Sequence, residues 1–240
     1  MIDRKKDRDP AGRSASVLGW TGHRKRLKER FRLHGLSSLH DYESLELLLF
    51  YAVPRKDVKP LAKELILAFG GLRGVLDASF EDLEKIPGMG ENASLLLPLV
   101  KALGSAYLKE RALEGEQLSC TEDLVRYCMA SMGGLKDERF TVIFLNTRNR
   151  IIEVEDIQDG TVNQAVVYPR KILEKALQHK ASAMILVHNH PSGNTAPSEA
   201  DVRLTRAVQE TAKILDIRIH DHLIIGGNRY FSFRGEGLLR

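Results

Sequence analysis

The sequence predicts an α/β fold, in which a mixed sheet is covered by helices, preceded by an all-α domain. From about residue 121 onward, short apolar runs alternate with helical patterns, which is typical of α/β domains. Upstream of that point, apolar residues recur with helical spacing. A chain of 240 residues suits two domains. We predict a disordered arm at 1–20, a helical domain at 21–112 and a three-layer α/β/α domain at 113–240.

The composition is that of a soluble globular protein. Hydrophobic residues make up 43% and charged residues 28% of the chain. No apolar run is long enough to cross a bilayer, and the charged N-terminus has no apolar segment behind it. Cys120 and Cys128 form no CxxC pair that would indicate a thiolate metal site. We therefore expect a cytoplasmic protein with reduced thiols and no membrane partner.

The positive charge is concentrated at the start of the chain. Residues 1–35 contain eleven Lys/Arg and four Asp/Glu, a net charge of +7, whereas the whole chain carries +4. Arg24, Lys25 and Arg26 lie in this segment. Such clustering is typical of a surface that binds duplex DNA, although many charge runs are only solvated faces.

Three helices are predicted in the first half of the helical domain. Apolar residues recur at helical spacing in Gly22–Phe31, in Asp41–Phe50 and in Val58–Phe69, and Gly70 with Gly71 ends the third helix. A shorter helix follows Ser79, which stands three residues before Asp82 as in a capping box.

The next stretch, 86–93, resembles a helix-hairpin-helix motif. Gly88 and Gly90 would let main-chain amides approach a DNA phosphate at the start of the following helix. Two residues depart from that pattern: Glu91 is acidic where a phosphate would bind, and Pro98 is expected to interrupt the second helix. The glycines also have a purely geometric explanation in a tight turn.

The second half of the chain alternates strands and helices. The predicted elements, in order, are a helix at 121–129, a hairpin of strands at 139–146 and 151–157, a helix at 170–179 after Pro169, a strand at 183–188, a helix from Glu199 to about Leu215, and two final strands at 217–225 and 229–233. This order predicts a mixed sheet with helices packed on it.

A metal site is predicted where the strand at 183–188 ends. His188 and His190 stand two residues apart, so both rings can face one side of the strand. Asp201 lies in the first turn of the next helix, from which its carboxylate can return toward the rings. Two imidazoles and one carboxylate suit Zn²⁺ and leave a fourth position for water, as in catalytic zinc sites. Alternatively, Ser198 and Asp201 form only a capping box.

These residues resemble a known family. His188-x-His190, seven residues, Ser198, two residues and Asp201 follow the H-x-H-x7-S-x2-D pattern of the JAMM (MPN+) zinc metalloproteases. The surrounding residues 188–193, HNHPSG, look like those of the bacterial RadC branch. The resemblance implies a zinc metallopeptidase or isopeptidase that acts on a protein or peptide. Asn189 departs from the deubiquitinating members, which usually carry Ser or Thr there.

Several carboxylates could serve as the general base. From the chain alone the candidates are Glu138, Glu153, Glu155 and Glu199. The resemblance selects Glu138, because the family's glutamate lies at the start of an apolar strand upstream of the histidines. This choice requires that strand to run antiparallel to the strand that ends at His188. The resemblance also assigns Ser198 as the donor that stabilises the oxyanion, a contribution of roughly 3 kcal/mol.

The segment His220-Asp221-His222 offers a competing pair of histidines on one strand face, but no carboxylate follows at useful spacing. We expect these histidines to be strand residues or to support the metal ligands from behind. Two functions are therefore predicted. The leading one is a zinc-dependent hydrolase in which Glu138 activates water on the metal. The alternative is a DNA-binding or DNA-repair-associated protein whose metal domain is structural.

Overall fold

A computed structural model describes residues 14–54, 56–114, 122–157 and 167–239, with the backbone alone for 14–21 and 113–114. The chain divides into two compact units, one up to Val100 and the other from Lys101 onward. Along the stretches described, no helix combines the length and the apolar character needed to cross a membrane.

The first unit is helical. Its helices are α1 (Ser14–His34), α2 (Asp41–Ala52), α3 (Lys59–Phe69), α4 (Leu72–Asp77), α5 (Phe80–Glu84) and the start of α6 (Glu91–Glu114). Gly70 adopts a left-handed conformation and ends α3, as its position predicts. The Ser79 side chain accepts a hydrogen bond from the Asp82 amide and caps α5. Buried leucines from several of these helices form the core, including Leu27, Leu45, Leu49, Leu65, Leu83 and Leu97.

The structure differs from three expectations in this unit. Helix α1 begins at Ser14, so residues 14–20 are helical rather than disordered, and residues 1–13 lie outside the described part. Helix α6 continues through Pro98, because the loss of one main-chain hydrogen bond is outweighed by a long run that buries Ala93 and Leu97. Helix α4 was not predicted, since its six residues are too few to show a period.

The second unit contains the predicted sheet. Its elements are α7 (Glu122–Met132), β1 (Phe140–Leu145), β2 (Ile151–Asp156), α8 (Pro169–Gln178), β3 (Ala183–Asn189), α9 (Glu199–Ile214), β4 (Arg218–Gly226) and β5 (Arg229–Ser232). The strand order is β2-β1-β3-β4-β5. Among the described strands, β3 and β4 pair in parallel and the other neighbours pair antiparallel, so the sheet is mixed. Because β3 is buried along its whole length, its residues form an almost continuous apolar run.

Helices cover both faces of this sheet. On one face, α8 and α9 pack against Val142, Phe144 and Met184 of β1 and β3. On the other face, α7 packs against Ile143 and Ile185. Alternate residues of each strand thus point to opposite layers. The predicted α/β class and three-layer arrangement are confirmed.

The register of the central strands positions the ends that carry the predicted ligands. Strands β1 and β3 are antiparallel, and Phe140 pairs with His188. The residues just before β1 therefore lie beside the end of β3, as the choice of Glu138 required. Between β3 and β4 the register shifts, since Met184 pairs with Ile219 and Ile185 with Asp221. His220 is the extra residue in this irregularity.

Candidate metal centre

Four predicted residues converge at the end of β3. They are Glu138, His188, His190 and Asp201, and each offers a ligand atom within 4.8 Å of the others. Glu138 precedes β1, His188 lies in β3, His190 follows it, and Asp201 lies in the first turn of α9. The antiparallel pairing of β1 with β3 brings the first three together, and the loop of residues 191–198 returns the chain so that α9 begins at the same place.

The distances among these atoms suit a small cation. His188 Nε2 lies 3.0 Å from His190 Nε2 and 3.2 Å from Asp201 Oδ1. His190 Nε2 lies 3.5 Å from Asp201 Oδ2. Around a tetrahedral zinc with bonds of about 2.0–2.1 Å, neighbouring ligand atoms are about 3.3 Å apart. The residues present therefore fit a metal of that size.

Asp201 is prepared as a ligand by the start of its own helix. The Ser198 amide donates to Asp201 Oδ2 at 2.7 Å, and the Asp201 amide donates to Ser198 Oγ at 3.1 Å. Burial opposes ionisation of the Asp201 carboxyl, but hydrogen bonds with His188 and Ser198 outweigh it and hold the pKa well below its usual range. The Asp201 side chain therefore belongs to both the capping box and the predicted ligand set.

His190 is oriented by the loop that follows it. Its Nδ1 lies 2.7 Å from the Asn194 carbonyl oxygen. A carbonyl only accepts hydrogen bonds, so Nδ1 carries the proton and Nε2 keeps a lone pair for a cation. The loop is held by the Arg229 guanidinium, which donates to the Gly193 carbonyl at 3.2 Å. The His190 amide also donates to the Ile225 carbonyl at 2.8 Å, which ties the residue to β4.

Glu138 is exposed, and the main chain on both sides of it is held by Asn189. The Asn189 side chain accepts from the Arg139 amide at 2.8 Å and donates to the Asp137 carbonyl at 3.1 Å. Asn189 itself is almost fully buried. The sequence showed Asn189 only as a departure from a pattern, whereas the structure gives it a role in placing the strand end that carries Glu138.

The other candidate bases lie apart from this cluster. Glu155 pairs with Lys175 and with His179, and Glu199 pairs with Arg203. Among the described groups of possible ligands, the cluster at the end of β3 includes Glu138 and none of the other three candidate glutamates.

His220 and His222 have different partners. The irregularity at His220 breaks the alternation of β4, so the two rings do not act as one pair on a single face. His220 Nε2 lies 2.8 Å from Asn149 Oδ1. His222 Nε2 lies 2.9 Å from His188 Nδ1, so His222 supports a predicted ligand from behind. Complete burial lowers the pKa of His222 well below its usual value.

The predicted DNA contacts are only partly available on the surface. The Arg24 guanidinium donates to the carbonyls of Val53 and Lys56 and lies over the ring of Phe50. Arg24 is half-buried and holds α1 against the end of α2, and its predicted contact with DNA stays a prediction. Lys25 and Arg26 are exposed.

The two glycines of the predicted hairpin lie between α5 and α6. Gly88 has a φ of 90°, which favours glycine, and the Gly90 carbonyl accepts from the amides of Ala93 and Ser94. These observations fit the geometric explanation of the two glycines in a tight turn, and the predicted phosphate contact stays a prediction.

The three-layer domain and its His, Asp and Glu cluster define a candidate metal hydrolase. Residues 118–238 match the RadC-like JAB domain, and residues 21–95 match the UPF0758 N-terminal family. A UPF0758 protein of Ruegeria pomeroyi is 42% identical over 217 residues, which cover 90% of this chain and 97% of that protein. A UPF0758 protein of Rhodobacter capsulatus is 44% identical over 213 residues, which cover 89% and 100%. The chain belongs to the RadC-like JAB domain family, which is metal-dependent, and the recognition made from the HNHPSG stretch is confirmed.

Proposed function

We propose that this chain is a zinc-dependent hydrolase of amide or isopeptide bonds in a protein or peptide substrate. The observation that carries the proposal is the convergence of Glu138, His188, His190 and Asp201 at the end of β3. Imidazole and carboxylate are ligands that zinc commonly takes in proteins, and three protein ligands leave one position of a tetrahedral zinc open.

Each side chain then has a distinct task. Zinc at this position supplies a Lewis acid that polarises the substrate carbonyl and acidifies water. The Glu138 carboxylate takes a proton from the attacking water and passes it to the leaving nitrogen as the C–N bond breaks. Ser198 Oγ accepts from the Asp201 amide, so its own proton can be donated to the carbonyl oxygen as that oxygen becomes negative.

The first experiment measures the zinc content of the purified protein by elemental analysis. We expect about one zinc per chain in the wild type and a large loss in His190→Ala, because a ligand is removed. His220→Ala is the matched control, since His220 bonds to Asn149 and lies outside the cluster. Equal zinc in all three proteins would refute the proposed ligand set.

The second experiment measures hydrolysis of a peptide library. Glu138→Gln removes the proton acceptor, and we expect a rate at least about 10²-fold lower with zinc retained. Glu199→Gln is the control, because this exposed glutamate pairs only with Arg203 among the contacts described and should leave the rate unchanged. A Glu138→Gln protein as active as the wild type would remove Glu138 from the mechanism.

A second candidate function is the binding of duplex DNA by the helical unit, in a protein whose metal domain is structural. Its support is the exposed pair Lys25 and Arg26 on α1, on the same helix as Lys28, which is also exposed. Phosphate contacts by such residues supply most of the sequence-independent affinity for DNA. Glu91 in the first turn of α6 opposes a phosphate at that helix.

Salt titration of duplex DNA binding tests this second function. Changing Lys25 and Arg26 together to Gln should reduce the slope of log affinity against log salt by about 2, since each phosphate contact contributes about 0.9. Arg24→Ala should lower stability more than DNA affinity, because Arg24 serves the fold. His188→Ala should bind DNA like the wild type. A slope that none of the charge changes alters would exclude this surface.

A further inference from the structure

A chain of hydrogen bonds lies behind His188, on the side away from the candidate metal site. His188 Nδ1 lies 2.9 Å from His222 Nε2, and His222 Nδ1 lies 2.6 Å from Thr205 Oγ1. The Thr205 hydroxyl in turn donates to the Asp201 carbonyl oxygen at 2.6 Å. From this chain we infer that His222 and Thr205 are positioning residues, which hold His188 in the tautomer that leaves Nε2 free to bind a cation.

The direction of each bond follows from counting protons. The Thr205 hydroxyl has one proton, and the Asp201 carbonyl can only accept, so that proton is used there. Thr205 Oγ1 must therefore accept from His222, which places a proton on His222 Nδ1. With His222 Nε2 as an acceptor, the proton between the two rings belongs to His188 Nδ1. His188 Nε2 then carries a lone pair, directed toward His190 and Asp201.

These side chains are buried, so water cannot provide alternative hydrogen-bond partners that would allow another set of tautomers. The exposed fractions of His188, His222 and Thr205 are 1%, 0% and 2%. The two rings are also held in place by aromatic neighbours: Phe140 stacks on His188 at 5.9 Å, and Phe233 stacks on His222 at 4.7 Å between ring centroids. A ring that turned over would lose its stacking or leave a buried nitrogen without a partner, which is costly.

The same series of hydrogen bonds also connects two proposed ligands that lie on different elements. His188 comes from β3 and Asp201 from α9, and His222 of β4 with Thr205 of α9 connects them. Thr205 is bonded to the main chain of the same residue whose carboxylate faces His188. Partners behind metal-binding histidines set the tautomer and the ring orientation, and their loss weakens metal binding about 10–100-fold.

The test is nuclear magnetic resonance of the metal-free protein with 15N-labelled histidine, at about pH 8, where ordinary imidazoles are neutral. Two-bond couplings between ring nitrogens and carbon-bound protons distinguish the two tautomers. In the wild type we expect His188 and His222 to be protonated on Nδ1. A spectrum with His188 protonated on Nε2 would overturn the inference.

Variants of α9 provide the second measurement. Thr205→Val keeps the shape of the side chain but removes the hydroxyl, so we expect His222 to lose its Nδ1 tautomer and zinc to bind about 10–100-fold more weakly in chelator competition. Thr205→Ser keeps the hydroxyl and should resemble the wild type. Thr211→Val is the matched control, since the exposed Thr211 hydroxyl donates to the Ala207 carbonyl within the same helix.

This inference rests on the proposed metal site but not on hydrolysis, so the two can fail separately. Unchanged tautomers and zinc affinity in Thr205→Val would refute the positioning role even if the wild type hydrolyses peptides. If Thr205→Val does not fold, the wild-type spectrum and Thr205→Ser still decide, because a serine variant with altered tautomers would contradict the proton count. A wild type with the expected tautomers but no zinc binding would refute the proposed function alone.

Discussion

Gly226, at the end of β4, is the position where one added methyl group should disturb the metal site without touching a ligand. A Cβ at this position would lie 2.6 Å from the Gly193 carbonyl oxygen and 2.7 Å from Thr195 Cγ2. Ordinary van der Waals contacts are about 3.5 Å or longer. The loop containing Gly193 and Thr195 must therefore move by nearly 1 Å in Gly226→Ala.

Movement of this loop should disturb the orientation of the His190 ring. Overpacking by one methyl group costs about 1–3 kcal/mol. The same loop supplies the Asn194 carbonyl that fixes the His190 ring at 2.7 Å, so displacement of the loop releases the ring. If zinc binding must restore the original loop position and so bear this whole cost, zinc affinity falls by about 5–150-fold, since 1.4 kcal/mol corresponds to a factor of ten.

The assay combines zinc titration against a chelator with thermal denaturation of the metal-free protein. We expect Gly226→Ala to bind zinc at least about fivefold more weakly and to keep its secondary structure. Gly104→Ala is the control, because no heavy atom lies within 4 Å of the added Cβ in helix α6. Wild-type zinc affinity in Gly226→Ala would show that the loop does not position His190.

Two further predictions concern the same unit. The Glu155 carboxylate accepts hydrogen bonds from Lys175 and His179, which lower its pKa, so its stabilising effect is present above about pH 4 and is lost as the pH falls through the folded value. Glu155→Gln should therefore lower the melting temperature by about 2–4 °C at pH 7 and by less in acid, as measured by thermal denaturation. Asn189→Ala removes two hydrogen bonds to the main chain around Glu138 and should cost about 2 kcal/mol in urea denaturation. It should also slow peptide hydrolysis while retaining zinc. Wild-type hydrolysis by this variant would show that the two hydrogen bonds of Asn189 are not needed to place Glu138.

The elements that local sequence controls were predictable. The strand at 183–189 appeared as a bounded apolar run because it is buried on both faces. The start of α9 appeared as a serine three residues before an aspartate, and the structure contains that capping box. The hairpin of β1 and β2 followed from two strand-like runs and a short turn. In each case the residues that determine the element lie within it or a few positions away.

What escaped prediction depends on partners distant in sequence. Arg24 in a run of basic residues suggested a surface cation, yet the carbonyl at Val53 that it serves lies 29 positions away. Likewise, nothing local marks Thr205 as different from Thr211. Both hydroxyls donate to a carbonyl four residues earlier in α9, but Thr205 alone of these two also contacts His222. Only the packing of α9 against β4 decides which threonine of α9 lies opposite His222.

The same reasoning explains why the ligand set could be predicted, and His222 named as a possible supporting residue, whereas the roles of Thr205 and Asn194 could not. His188, His190 and Asp201 lie within fourteen residues, because one strand, one loop and one helix start suffice to gather them. A cation bound there also needs the imidazoles in one tautomer, and a tautomer is set by the atom that faces the other ring nitrogen. For His190 that atom is in the adjacent loop, at Asn194, whereas for His188 it comes from β4, 34 residues further along. The two histidines therefore depend on different parts of the fold. The orientation of His190 depends on loop geometry, which Gly226→Ala disturbs. The orientation of His188 depends on sheet register, which Thr205→Val leaves intact while removing the hydroxyl that accepts the proton of His222. Different responses of the two ring spectra to these two substitutions would demonstrate that the site is held from two independent directions.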